Sequence, residues 1–471
     1  MRLRVIILLI VVTLAFAGAR ADTIHLKNGR TIVADQVREK GTHLEYDIGE
    51  DTYAIPKSSV DHIDAGGMPT HSSGAAKVGD LPTFTPADTL ANEGDLVSKI
   101  IKEGKVDPDA LAALEGKGKA ELAATADFIA GKFEFEHGNI AQARSYFENA
   151  LHYQSENSTI LIYYAALLVR TGNAAQALPY AQRAVRSDPQ SPDAYTMLGY
   201  AQFASDHTRD AVASWRKSLE LRPDPAVQQF LAKAQREEKV ESDFAQHESS
   251  HFVLHYEGKQ TSETLRSQIV EALESDYNDL SANLGNPPRD SILVTLYTEQ
   301  AFFDVTRAPT WAGAINDGKL RIPVSGLSSM TPELARVLKH ELAHSFITQL
   351  SGGRCPPWLH EGIAQFLEPK SLGGDGRQLS QLYKTQREIP LNALEGSFQN
   401  FSGSQAYLAY AESLAAVSYI NDSYGMSDVQ RILQRISQGS STEAAMRATI
   451  HSDYGQFETD LAKYLSDKYG E

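Results

Sequence analysis

Two stretches of the chain place histidine, glutamate and histidine at a spacing that can hold a metal ion. Lys339 to Leu350 reads KHELAHSFITQL, with His340, Glu341 and His344. Gln246 to Glu257 reads QHESSHFVLHYE, with His247, Glu248 and His251. On an α-helix, residues four apart project from one face, so two imidazoles can meet one zinc ion. The glutamate after the first histidine then points to the neighbouring side, where it can take a proton from a water that the metal polarises. The pattern therefore has meaning only on a helix, and only if a third ligand arrives from elsewhere.

The earlier stretch lacks the helix. Phe252 to Tyr256 reads as a strand, and Ser249-Ser250 is poor helix material because serine hydroxyls compete for the backbone. Glu271 lies downstream at ligand-like spacing, but ALESDYNDL around it reads as the charged face of an amphipathic helix. The later stretch has its helix. Thr331 can cap it, Pro332 suits its first position, and Gly352-Gly353 ends it. Leu334, Val337, Leu338, Leu342, Ala343, Phe346 and Ile347 keep helical spacing between those ends.

After a Gly-Gly and Pro-Pro turn comes PPWLHEGIAQFLE. Sixteen residues separate His344 from Glu361, which begins a second helix. HELAH followed by Trp-Leu-x-Glu-Gly-x-Ala resembles the gluzincin metallopeptidases, the thermolysin and aminopeptidase N types, from about His251 to Tyr469. The resemblance implies an α+β zincin-like metallopeptidase domain, with Zn2+ held by His340, His344 and Glu361 and with Glu341 as general base. Two features depart from it. The gap to the third ligand is shorter than in the aminopeptidases, and no Gly-x-Met-Glu-Asn motif precedes the helix. The second departure removes the usual recognition of a free amino terminus and favours an endopeptidase.

Clan members often carry a phenol or imidazole that steadies the oxyanion of the tetrahedral intermediate. Tyr410, in AYLAYAES, is the candidate here, with Tyr407 behind it, and core packing is the competing reading. His360 neighbours the third ligand but would point away from it on a helix, so it reads as a surface residue or as one that supports a ligand from behind. Glu368, two turns beyond Glu361, can orient a ligand histidine or be a solvated helix carboxylate. GKLRIPVSG, Gly318 to Gly326, is expected as an edge strand, plain or pairing with an extended substrate; Pro323 suits an edge because it cannot donate to a ladder.

The remaining modules must position this site or feed it. The start, MRLR followed by an apolar run to Ala-Arg-Ala, reads as a signal peptide over residues 1–21, cleaved after Ala21. Residues 22–65 read as a small β-barrel. DTIHLKNGRTIVADQV turns at Asn28-Gly29, and HLEYDI and TYAIP are short strands joined by Gly49-Glu50-Asp51. This stretch resembles the SH3-like modules of exported bacterial proteins, and both a binding role and bare packing stay open. Residues 66–95, rich in Gly, Ser, Thr, Pro and Ala, read as a flexible linker.

Residues 96–240 hold a repeat. Gly138-Asn139 recurs as Gly172-Asn173, and Asp206 then fills the same column, a period of 34 residues. Gly131, Ala165 and Gly199 keep it, as do Ala143, Ala177 and Ala211, and Ala150, Ala184 and Ser218; Pro189 and Pro223 end two units. The pattern resembles the tetratricopeptide repeat, which implies an α-helical superhelix. Tyr195 to Phe203 keeps the family's aromatic-x-x-Leu-Gly pattern, whereas Asp127 replaces the aromatic in the first unit. A groove for a protein partner and a spacer for the next domain are both open. Residues 241–471 form the metallopeptidase region.

The chain of 471 residues carries a formal charge of −16, and −19 once Arg2, Arg4 and Arg20 leave with the signal. Such a balance disfavours nucleic acid and anionic membrane surfaces. No stable membrane anchor is expected after cleavage. Cys355 is the only cysteine, so no internal disulfide forms and the thiol is expected to pack as a small apolar group. Export with one cysteine fits a bacterial periplasm. The expected function is that of an exported zinc metallopeptidase acting on protein or peptide substrates. The alternative is a non-catalytic periplasmic interaction scaffold with a peptidase-like domain.

Overall fold

A computed structural model describes residues 22–27, 31–34, 36–48, 51–64, 90, 93–258, 261–307, 314–324, 326–398, 401 and 403–470. The expected signal segment, the expected Asn28-Gly29 turn, Gly49-Glu50 and most of the expected linker lie outside these residues. Among the described residues no helix is long and apolar enough to cross a membrane.

Six short strands make up the N-terminal module. Asp22–Leu26 pairs antiparallel with Thr31–Ala34 on one side and Val60–Asp64 on the other. His43–Ile48 lies between Gln36–Lys40 and Asp51–Pro56. Ile24, Leu44 and Tyr46 are buried together, with Val37, Ile55, Val60 and Ile63 packed around them. The six strands form two three-stranded antiparallel sheets that share this small core. Pro56, which has no N–H to donate, ends one sheet, and the 3-10 turn Lys57–Ser59 carries the chain to the other.

The first described helix, Glu93–Ile100, starts inside the expected linker. A two-residue hairpin, Ile101–Lys102 with Lys105–Val106, and the helix Pro108–Glu115 follow. Three helix pairs then repeat: Ala120–Glu136 with Ile140–Tyr153, Ser158–Arg170 with Ala174–Ser187, and Pro192–Ala204 with Thr208–Leu221. Pro225–Glu241 caps the stack. The small columns have a steric cause. A Cβ on Gly131 would stand 2.7 Å from the Phe147 ring, and one on Gly199 would enter the Trp215 ring. In the turn column, Gly138, Gly172 and Asp206 all take positive φ, at 79°, 73° and 66°. Glycine adopts this freely, and aspartate is among the few other residues that tolerate it.

The third region is built on a five-stranded sheet ordered Ile315–Asn316, Leu320–Pro323, Ile292–Tyr297, Phe252–Tyr256 and Ala245–Glu248. The three central strands are parallel and the two outer ones antiparallel. Leu320–Pro323 is therefore not the expected edge. Gly318, at φ 97°, lets the chain fold back so that Ile315–Asn316 takes that place. Arg321 on the inner strand is fully buried.

Helices cover the sheet. Glu263–Leu284 buries Leu265, Ile269, Leu273, Tyr277, Leu280 and Leu284 along one face, leaving Glu271 exposed. The motif helix, Pro332–Ser351, packs beside it through Phe346 on Tyr277, with ring centroids 5.2 Å apart. Thr331 Oγ1 accepts from Leu334 N at 3.1 Å, and Gly352 closes the other end at φ 61°. The glutamate helix, Pro357–Leu367, begins four residues before Glu361, because Pro357 occupies its first position.

Candidate metal centre

His340, Glu341 and His344 sit in mid-helix, all buried. Glu361 lies in the middle of the glutamate helix and is also buried. Its Oε2 stands 3.6 Å from His340 Nε2 and 3.9 Å from His344 Nε2. Ligand atoms of His340, His344 and Glu361 all lie within 4.8 Å of one another, the one such group among the described residues.

The earlier match does not come together. His247 and Glu248 lie on an exposed outer strand. His251 Nδ1 bonds Glu274 Oε2 at 2.6 Å, and its ring stacks on Tyr277 at 3.8 Å.

Electrostatics show what the cluster can hold. Burial alone would lower His340, but the Glu361 and Glu368 carboxylates overcome it and raise its pKa to about 10. His344 falls well below its ordinary value, through burial and then the neighbouring His360 and His340. It stays neutral, as a metal-ligating imidazole must. Burial raises Glu341 to about 8; His340 opposes this, and Glu361 and Glu368 add to it. Glu341 Oε2 is buried with no hydrogen-bond partner among the described residues. Two nitrogens with one oxygen are a donor set that suits a divalent transition metal.

A second ring of contacts holds the ligands. Glu368, only 7% exposed, places Oε2 3.5 Å from His340 Nδ1. Of the two readings open for it, orientation of a ligand histidine fits this burial. Of the two readings open for His360, a support behind a candidate ligand fits its stack: the half-buried ring lies on His344, with centroids 4.5 Å apart and planes 24° from parallel. Burial, then His340, brings it down to about 4. Asn316 Nδ2 donates to Glu341 O at 2.7 Å and to Ser345 Oγ at 2.8 Å, tying the edge strand to the motif helix. Gln365 Nε2 donates to Tyr410 O at 2.9 Å. Asn316, Gln365 and the His360 stack carry no sequence signal, because each depends on the angle between two elements.

Tyr410 is half-buried on the helix Gly403–Tyr424, with its ring edge-on to Phe398. Its phenol is pushed well above the ordinary tyrosine value, by burial first and then by the Glu361 and Glu341 carboxylates. The phenol thus feels the site directly and keeps its proton. Tyr407, one turn earlier, is 45% exposed. Burial, then Glu361, also raises Cys355 well above the ordinary thiol value, so it packs as a neutral group.

Residues 278–467 match the family model of the Peptidase MA superfamily. Residues 130–192 and 169–234 match tetratricopeptide repeat models. Solved structures with similarity include the TPR domain of Arabidopsis OM64, at 19% identity and TM-score 0.24, covering 24% of this chain and 95% of that one. The first TPR domain of human RPAP3 gives 22% identity and TM-score 0.24, covering 24% and 90%. The P58(IPK) TPR domain gives 14% identity and TM-score 0.25, covering 73% and 79%. No curated protein matches the chain.

Proposed function

From a chain that carries a Peptidase MA superfamily domain together with tetratricopeptide repeats, we propose a zinc-dependent endopeptidase that hydrolyses protein or peptide substrates. The observation that carries this reading is the convergence of His340, His344 and Glu361, with the unpartnered Oε2 of Glu341 buried beside them.

Zinc, when bound, would supply Lewis-acid polarisation of the scissile carbonyl and of the attacking water. His340, His344 and Glu361 would hold it, with Glu368 fixing the orientation of the His340 ring. Glu341 takes a proton from the attacking water and later gives it to the leaving amine. Its raised pKa suits both transfers near neutrality. The Tyr410 phenol donates to the oxyanion of the tetrahedral carbon. The array recruits or orients the substrate, and the N-terminal sheets serve as an SH3-like module. The proposed compartment is the periplasm, on the strength of the basic and apolar start of the sequence.

The test is Glu341→Gln in the full chain. Peptide-library cleavage should fall by about 10²–10⁴, the usual contribution of a general acid–base group, while one zinc stays bound. Normal cleavage by this variant would remove the assignment. Zinc bound by the unmutated protein without cleavage of any peptide would leave the interaction scaffold as the function.

A further inference from the structure

The turn inside each of the three helix pairs rests on the region that carries the candidate metal centre. At the first, Arg354 Nη1 donates to His137 O at 2.8 Å, and the guanidinium lies so close over Gly138 that a side chain there would displace it. At the second, Gly172 faces Gln349, and Gly353 faces the carbonyl of Arg170. At the third, Asp206 pairs with Lys319 at 2.8 Å and lies 3.1 Å from His255 Nε2.

The places gripped are not arbitrary. Gln349, Gly352, Gly353 and Arg354 are the end of the motif helix and the start of its connection to the glutamate helix. That connection sets where Glu361 stands relative to His340 and His344. Lys319 belongs to the turn whose Asn316 is bonded to the motif helix at Glu341 O. The capping helix holds the same turn through Lys233 to Asp317 at 2.7 Å and Glu237 to Lys319 at 2.5 Å.

We infer that Arg354 is a positioning residue through which the first repeat sets the third metal ligand against the other two. The inference rests on the zinc reading above. By linkage, a metal ion bound at the centre also stiffens the array, since coupling between two sites is reciprocal.

The test uses the full chain carrying Glu341→Gln, which prevents self-cleavage. Zinc affinity is measured by competition with a chromophoric chelator, for Arg354 intact and for Arg354→Ala and Arg354→Lys. Hydrogen exchange over Ala120–Glu136 and Ile140–Tyr153 is followed with and without zinc. Arg354→Ala should weaken zinc binding about 10–100-fold, the usual cost of losing an outer contact, while the helical circular dichroism is unchanged. Arg354→Lys, whose ammonium can still donate to His137 O, should restore part of the affinity. Zinc should slow exchange in the two array helices with Arg354 present and not with alanine. Equal zinc affinity for intact and Arg354→Ala protein, with protection confined to residues 241–470, would overturn the inference alone. Absence of zinc uptake by the intact chain would overturn the metal reading and the inference with it.

Discussion

At the scale of single residues, the sharpest case is Tyr410. Burial, Glu361 and Glu341 all keep its phenol protonated. A protonated phenol beside the site can donate where negative charge develops in the transition state. Tyr410→Phe should lower kcat by about 10–10²-fold and leave KM and zinc content unchanged, toward the lower end for one donor among several. A rise in KM at constant kcat would make the phenol a substrate contact instead. The candidate ligands His340, His344 and Glu361 are legible in the sequence because helical periodicity and a second motif constrain them together. Glu368 is only half legible. Its position on the face of Glu361 is readable, whereas its burial depends on the helix laid above it. The stacking of His360 on His344 is not legible at all, because a short motif says nothing of the crossing between two helices.

At the scale of elements, the glutamate helix shows how tightly its sequence is bound to its neighbour. A Cβ on Gly362 would run into the carbonyl of Ser413 and lie 2.7 Å from a Val417 methyl. Glycine there lets Pro357–Leu367 and Gly403–Tyr424 approach closely, and Gln365 bonds the Tyr410 carbonyl one turn on. Gly362→Ala would gain about 1 kcal/mol of helix propensity. The collision is with backbone that cannot swing aside, so overpacking of about 1–3 kcal/mol prevails. Thermal melting should show a lower midpoint, and zinc affinity should fall as Glu361 shifts; an unchanged or higher midpoint would contradict the close approach. The helices are readable from the sequence because their caps and apolar spacing are local. The edge of the sheet is not, because strand order is decided by Gly318 folding the chain back and by the ion partners of Arg321.

At the scale of the whole molecule, the array and the peptidase region share a buried ionic cluster. Glu237, fully buried, bonds Lys319 at 2.5 Å and Arg321 at 2.7 Å, and Arg321 also bonds Asp317 at 3.0 Å. Burial opposes ionisation of Glu237, but Arg321 and Lys319 hold it below the usual carboxylate range. Its stabilisation is thus complete above about pH 4.5 and is lost only as pH falls through the depressed value. Glu241, bonded by the Tyr297 hydroxyl, behaves in the opposite sense. Burial and then the Glu237 charge raise it to about 7, so its contribution is present below 4.5 and is lost as pH rises through 7. Glu241→Gln should therefore raise the melting midpoint at pH 8 and leave it nearly unchanged at pH 4. Glu237→Gln leaves Arg321 and Lys319 short of a buried counter-charge and should cost about 3–5 kcal/mol. Calorimetry should show the unmutated chain melting in a single transition over array and peptidase region, and two separated transitions there would refute this shared cluster as a structural bond.

The column that reads Gly138, Gly172 and Asp206 has a consequence for how this chain can vary. A free-standing solenoid can gain or lose a unit and keep its fold, because each unit meets only its neighbours. Here each successive bend docks at a different address on the adjoining region, and the aspartate at the third answers Lys319 and His255 there. Insertion or deletion of one 34-residue unit would slide every bend to the wrong address. The number of repeats in this protein is thus tied to the neighbouring domain.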